Sequence, residues 1–139
     1  MIVLDTNVIS EPVKPLADPV VVAWLDRQPK ETLYLCAPAL MEVLLGINLF
    51  PDGKRKRIIA VALQGLLANY FSDRFLAFER EAAVAYALLA SRAAAKGYSI
   101  SVADGQIAAI ASVHAFSVAT RDTAPFLATG VRVINPWKS

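Results

Sequence analysis

The chain has one cysteine, Cys36, and one histidine, His114, in 139 residues. A single thiol forms no internal disulfide, and no basic-then-apolar leader follows Met1, so the expected setting is the reducing cytoplasm. Nitrogen and sulfur ligands for a metal are scarce for the same reason. Cys36 falls inside an apolar run, where it reads as core, and His114 falls near the end of a helical stretch, where it reads as a surface histidine. Zinc, which prefers those donors, is therefore not expected. Long hydrophobic runs are missing too. Val20-Val21-Val22-Ala23-Trp24-Leu25 stops at Asp26, and the alanine-rich stretch 82–95 is cut by Ser91 and Arg92. Neither approaches the roughly 20 residues that span a bilayer, so no membrane partner is expected. A strong excess of one charge is absent as well: the net charge is +2 and the pI about 8.8. That balance permits a polyanionic partner without requiring one.

What the chain does have is apolar content, 56% of residues, against 19% charged. This suits one compact domain over residues 1–139 with one core. There is no repeat, low-complexity tract or linker, and Pro51-Asp52-Gly53 reads as a turn. Short β-branched runs alternate with longer helical patterns. Strands are expected at Ile2–Leu4, Thr32–Cys36, Arg74–Ala77, Phe116–Ala119 and Val131–Ile134. Helices are expected at Pro19–Asp26, Ala39–Leu49, Lys54–Tyr70, Glu79–Lys96 (stopped by Gly97) and Ser101–His114. Alternation at this spacing indicates an α/β fold with a mainly parallel sheet of about five strands.

Four acids sit at the junctions of that outline. Asp5 ends the first strand, Glu42 lies in about the first turn of the helix after the second, Asp104 opens the helix from Ser101, and Asp122 follows the fourth strand. In a parallel sheet, strand C-termini and the N-termini of the following helices share one rim, where ligands bind. Each acid taken singly has an ordinary reading as a helix cap, worth roughly 0.3–1 kcal/mol. Ser101-Val102-Ala103-Asp104 fits the reciprocal capping pattern, and Asp122 is placed to cap a short helix of its own. Taken together, the acids conflict. Two carboxylates about 5 Å apart repel by roughly 3 kcal/mol at an effective dielectric near 20. A cluster of that kind protonates or binds a cation. Oxygen donors alone suit Mg²⁺ or Mn²⁺. Thr6 and Asn7 beside Asp5, and Thr120 and Arg121 beside Asp122, supply short polar groups for a hydrated ion or a phosphate.

Leu4-Asp5-Thr6-Asn7-Val8, Leu40-Met41-Glu42-Val43-Leu44-Leu45-Gly46, Ala103-Asp104-Gly105-Gln106-Ile107-Ala108-Ala109 and Ala119-Thr120-Arg121-Asp122 resemble the four sequence blocks of PIN-domain nucleases. They are most similar to those of the VapC toxins of bacterial toxin–antitoxin pairs, in the FitB-like branch. That branch has a similar Glu11-Pro12 after the first block and a similar Asn135-Pro136-Trp137 ending. The resemblance runs in order over nearly the whole chain. It implies a three-layer α/β/α PIN-like fold, Mg²⁺- or Mn²⁺-dependent endoribonuclease activity, a VapB-like antitoxin partner and a homodimer. It also implies an acidic site of Asp5, Glu42, Asp104 and Asp122, with Asp5 and Asp104 as the metal ligands and Thr6, Asn7, Thr120 and Arg121 in support. One position departs from the pattern. Pro38-Ala39-Leu40 precedes Glu42 where a serine or threonine is frequent, so one supporting hydroxyl is missing.

Some features admit two readings. Lys54-Arg55-Lys56-Arg57 is either a solvated helix start or a phosphate contact, and Arg121 either meets substrate phosphate or pairs with a neighbouring acid. The small-residue face of 82–95 brings two helices close, inside one subunit or across a dimer. Trp24 reads as core. Trp137 packs the chain end onto the domain or onto a partner subunit. A phosphorylated receiver module also gathers acids at this rim. It wants a second acid beside the first strand and a lysine after the last, and Asp5 has no adjacent acid and no lysine lies between Lys96 and Lys138. A silent nucleic-acid-binding PIN domain, or a nuclease for single-stranded DNA, are the remaining alternatives. No reader of a 2′-hydroxyl can be named from the residues, so RNA rests on the resemblance.

Overall fold

The computed structural model describes residues 1–139. Ile2–Leu4 form strand β1, and all three residues are buried, so both faces of the strand are covered. That is the signature of a strand inside a parallel sheet. β2 (Leu33–Cys36), β3 (Phe75–Leu76), β4 (Ser117–Ala119) and β5 (Val133–Ile134) complete a five-stranded sheet of order β3-β2-β1-β4-β5. Every pairing is parallel. The expected "mainly" parallel sheet is thus wholly parallel.

Seven helices connect the strands: α1 (Thr6–Ser10), α2 (Pro19–Arg27), α3 (Ala37–Asn48), α4 (Lys54–Phe71), α5 (Arg80–Ala95), α6 (Val102–His114) and α7 (Thr123–Thr129). Short 3-10 turns lie at Glu11–Val13, Lys30–Thr32 and Pro136–Lys138. α1 and the turns fall outside the elements expected from the sequence, while the five longer helices match them to within a few residues. The caps are legible: Asp18 accepts from the Val20 amide with Pro19 at the first helical position. Gly97 stops α5 at φ 85°, with the Gly97 and Tyr98 amides donating back to the Ala94 and Ala93 carbonyls.

α5, α6 and α7 pack together on one side of the sheet, and α2 and α4 lie on the other, giving three layers. Chain direction explains this. β1 to β3 progress one way across the sheet, and the chain then returns past β1 to β4 and β5. Right-handed crossovers in opposite directions put their helices on opposite faces. The core is one contiguous cluster that includes Val3, Val8, Leu33, Leu63, Ile107, Val118 and Phe126. Trp24 and Cys36 belong to it as expected, and burial pushes the Cys36 thiol up to about 12, which leaves it inert. No helix is long and apolar enough to cross a membrane.

The small-residue approach occurs within the chain, between α5 and α6. Its tightest point is Gly105, where a Cβ would lie 2.5 Å from Tyr86 Cε2. We expect Gly105→Ala to cost about 1–3 kcal/mol through overpacking against the Tyr86 ring. That exceeds the roughly 1 kcal/mol of helix propensity alanine would add. A thermal melt checks it: the midpoint should fall by several degrees, and an unchanged midpoint would show that Tyr86 moves aside freely.

Candidate functional site

The strand order creates a switch point. β1 has β2 on one side and β4 on the other, and their crossovers leave on opposite faces, so a crevice opens at the C-terminal ends of β1 and β4. Asp5 follows β1 and Thr120 follows β4 directly into that crevice. The Asp5 amide donates to the Ala119 carbonyl at 2.9 Å, carrying the sheet ladder one residue past the strand.

Asp5 is 3% exposed. Its carboxylate caps α1 by accepting from the Thr6 amide at 2.7 Å, and it accepts from the Thr120 hydroxyl at 2.7 Å and the Asn7 side-chain amide at 3.3 Å. So the opening acid is a cap and something more, because Glu42 and Asp104 join it. Each of the three offers a carboxylate oxygen, and these oxygens all lie within 4.8 Å of one another. Glu42 sits in the second turn of α3, not the first as expected, and reaches the rim from there. Thr6 Oγ1 donates to Glu42 Oε1 at 2.7 Å, so the hydroxyl absent ahead of Glu42 is supplied from α1 instead. Asp104 is the third residue of α6, and Ser101 Oγ accepts from its amide at 3.1 Å. Only half of the reciprocal capping pattern therefore forms, since the Asp104 carboxylate turns to the other acids.

Asp122 stands outside that trio. It occupies the N-cap position of α7 but makes no side-chain cap bond, and it is exposed. Its charge still reaches Asp104. Its amide donates to Thr120 Oγ1 at 3.0 Å, and the Arg121 amide donates to Asn7 Oδ1 at 3.2 Å. Thr120 and Asn7 thus lock the β4–α7 turn to the start of α1.

Burial and the neighbouring charges both act on the carboxyl groups. Asp5 is raised to about 6, chiefly by burial; the Thr120 and Thr6 hydrogen bonds pull it down, and the Asp104 and Glu42 charges push it up. Asp104 is raised by burial and by the Glu42 and Asp122 charges, against the Ser101 bond. Thr120→Val removes the shortest side-chain donor to Asp5 and the acceptor of the Asp122 amide. We expect a loss of about 1–3 kcal/mol and an Asp5 that titrates still higher. Carboxyl NMR titration without divalent ions checks this, and an unmoved Asp5 would overturn it.

Of the remaining expectations, Arg121 makes no ion pair; its guanidinium lies over the Trp137 ring, 5.3 Å from the centroid. Trp137 packs back on its own chain, against the core. That contact was not read from the sequence, because it joins two turns beyond neighbouring strands. His114 is exposed at the C-terminal end of α6, the opposite end of the helix from Asp104. In the basic run, Lys56 is drawn to Asp52 at 3.1 Å and to the Asn48 carbonyl at 3.2 Å. Arg55 lies over Phe50 and lines a groove of about 600 Å³ that begins at Thr6 and Glu42.

Comparison with known proteins agrees with this geometry. The PIN domain family model matches residues 2–131. VapC ribonuclease Y4jK of Sinorhizobium fredii is 48% identical over 138 residues, covering 99% of each chain. Toxin FitB of Neisseria gonorrhoeae is 45% identical over 137 residues, again 99% of each. The crystal structure of FitAcB from Neisseria gonorrhoeae superimposes with a TM-score of 0.92 at 45% identity, covering 100% of both chains. With four acids delivered to one rim of a wholly parallel sheet and likeness of this extent, the chain belongs to the PIN-domain family, among its VapC- and FitB-type members.

Proposed function

We propose that this chain, as one PIN domain over residues 1–139, is the toxin of a VapBC-type pair and a divalent-metal-dependent endoribonuclease. The observation that carries the reading is the convergence of Asp5, Glu42 and Asp104 within 4.8 Å. Three carboxylates at that spacing, one of them buried, are a poor arrangement for a protein alone and a good one for a hard cation. The donor set is all oxygen, which fits Mg²⁺ or Mn²⁺.

Asp5 and Asp104 would hold the ion, with Glu42 completing the set. When bound, the ion supplies positive charge that acidifies water and offsets charge building on the phosphate. The residues do the rest. Thr120, Thr6 and Asn7 hold the Asp5 carboxylate in one orientation. Thr6 engages only one oxygen of Glu42 and leaves the other open. Asp122, exposed beside Asp104, orients the attacking water and takes up its proton. In-line attack on phosphorus then breaks the bond to the leaving oxygen. The partner is a VapB-like antitoxin, the working assembly a homodimer and the setting the cytoplasm. Support for the partner is the full-length likeness to a protein named as a toxin.

The test is cleavage of single-stranded RNA by the purified chain, with Mg²⁺ and with the ion chelated. Cleavage only with the ion is expected. Equal cleavage in both conditions, or none in either, would refute the assignment.

A further inference from the structure

Arg121 is exposed at the acidic rim, yet it is held from several sides. Its amide is tied to Asn7, which is bonded to Asp5, and the preceding Thr120 is bonded to Asp5 directly. Its guanidinium rests on the Trp137 ring at 5.3 Å. Trp137 is placed there by β5. The Thr120 amide donates to the Ile134 carbonyl at 2.9 Å, which sets the two strand ends side by side. Asn135 Oδ1 then accepts from the Trp137 amide at 3.0 Å and turns the chain back, with Pro136 buried beneath. On another side lies Glu11, a buried carboxyl already satisfied by Lys14 at 2.8 Å and the Asp18 amide at 2.9 Å. Burial pushes Glu11 up, but these two partners and the Lys14 and Arg121 charges hold it below its usual value, so its field acts on Arg121. The guanidinium therefore keeps its donors free of any ion pair while it rests on the Trp137 ring.

A cation with unspent donors, carried on the residue after Thr120 at the acidic rim, has a use. The acids repel a polyanion, and a guanidinium at the rim offers a phosphate oxygen two parallel donors. We propose that Arg121 anchors an RNA phosphate adjoining the one cleaved, and that Trp137, through the Asn135-Pro136-Trp137 turn, is the positioning residue that holds it. This rests on the ribonuclease reading above. A plain staple for the chain end would spend the same contact on stability alone.

Binding of a fluorescein-labelled, mixed-sequence single-stranded RNA to the full chain separates these, measured by anisotropy across a salt series in the Asp5→Asn background. Arg121→Gln should weaken binding about tenfold and reduce the salt slope by about 0.7. Trp137→Leu, which keeps an apolar side chain but no ring, should weaken it about threefold, and Trp137→Phe should restore it. In the Arg121→Gln background Trp137→Leu should add nothing. In the active chain these variants should raise KM more than they lower kcat. Additive losses, or a Trp137→Leu that shifts the melting point without touching affinity, would overturn the proposal. If Trp137→Leu does not fold, an Arg121→Gln with unchanged affinity and slope overturns it equally. RNA cleavage with Arg121-independent binding removes this inference alone. Arg121-dependent binding without Mg²⁺-dependent cleavage removes the nuclease reading and leaves Arg121 as an RNA phosphate contact with no cleaved bond beside it.

Discussion

Asp5→Asn is expected to abolish RNA cleavage while leaving the fold intact. The substitution keeps the shape of the side chain and the oxygen that caps α1 through the Thr6 amide. It removes one of three charges whose oxygens lie within 4.8 Å. On the proposed role of Asp5 as a metal ligand, its loss costs several kcal/mol of transition-state stabilisation, which is roughly 10³-fold or more in rate. Stability should move little or upward. At neutral pH and without divalent ions, the buried carboxylate is the least favourable charge of the site, so its removal relieves repulsion on Glu42 and Asp104. The opposing terms both fall at Asp5 Oδ2: the Thr120 hydroxyl must now accept from an amide where it donated, and the Asn7 side-chain amide loses its acceptor. The checks are the cleavage rate, a Mn²⁺ titration by calorimetry and a thermal melt. A variant that cuts at the parent rate removes Asp5 from the chemistry, and one that unfolds would show that its role is structural.

Without divalent ions, the chain should lose stability as the pH rises from about 4.5 to about 6. The sign follows from Asp5, whose ordinary value is 3.8 and which is raised to about 6 in the fold. Across that window the unfolded chain has released the proton and the native chain still holds it, so the slope of stability against pH is negative. The full shift from 3.8 to about 6 corresponds to about 3 kcal/mol, of which about 2 kcal/mol falls within this window. Asp104, raised in the same direction, adds to the fall. Glu11 acts the other way, but its stabilisation is lost only as the pH drops below its ordinary 4.5, beneath the window. On the proposed role of Asp5 as a metal ligand, a divalent ion should reverse the trend. Mg²⁺ or Mn²⁺ must displace the Asp5 proton to bind, so its stabilisation, about 2.7 kcal/mol at a hundredfold excess over Kd, should be full at pH 7 and much reduced at pH 5. Melting points over pH, with and without the ion, test this, and Asp5→Asn should flatten the metal-free curve. A flat curve in the parent would mean that Asp5 is not held above its ordinary value, as its burial requires.

Much of this was legible from residues alone. Ile2-Val3-Leu4 declares a strand covered on both faces, and β-branched runs spaced by amphipathic stretches declare a parallel sheet with helices between. Because parallel strands all end on one rim, acids placed just after them fall along the same edge. The four family blocks then named the site. α1 was not legible. Thr6-Asn7-Val8-Ile9-Ser10 is five residues long with three β-branched side chains, and only the Asp5 cap and burial of Val8 and Ile9 make it a helix.

Side-chain period reports the face of one element; it carries no information about how far a carboxylate extends over a neighbouring strand. That is why Glu42 reaches the trio from the second turn of α3 and why Asp122, one residue past the Thr120–Arg121 pair, stays outside it. The same reason hides Arg121 on Trp137: fifteen residues of chain separate them, and the parallel register of β4 and β5 alone sets them together. The order of residues determined a parallel α/β sheet with its acids along one edge. Which of those acids share a pocket, and which cation stands beside them, was decided by strand register and helix packing, since those long-range contacts fix positions that local propensity leaves open.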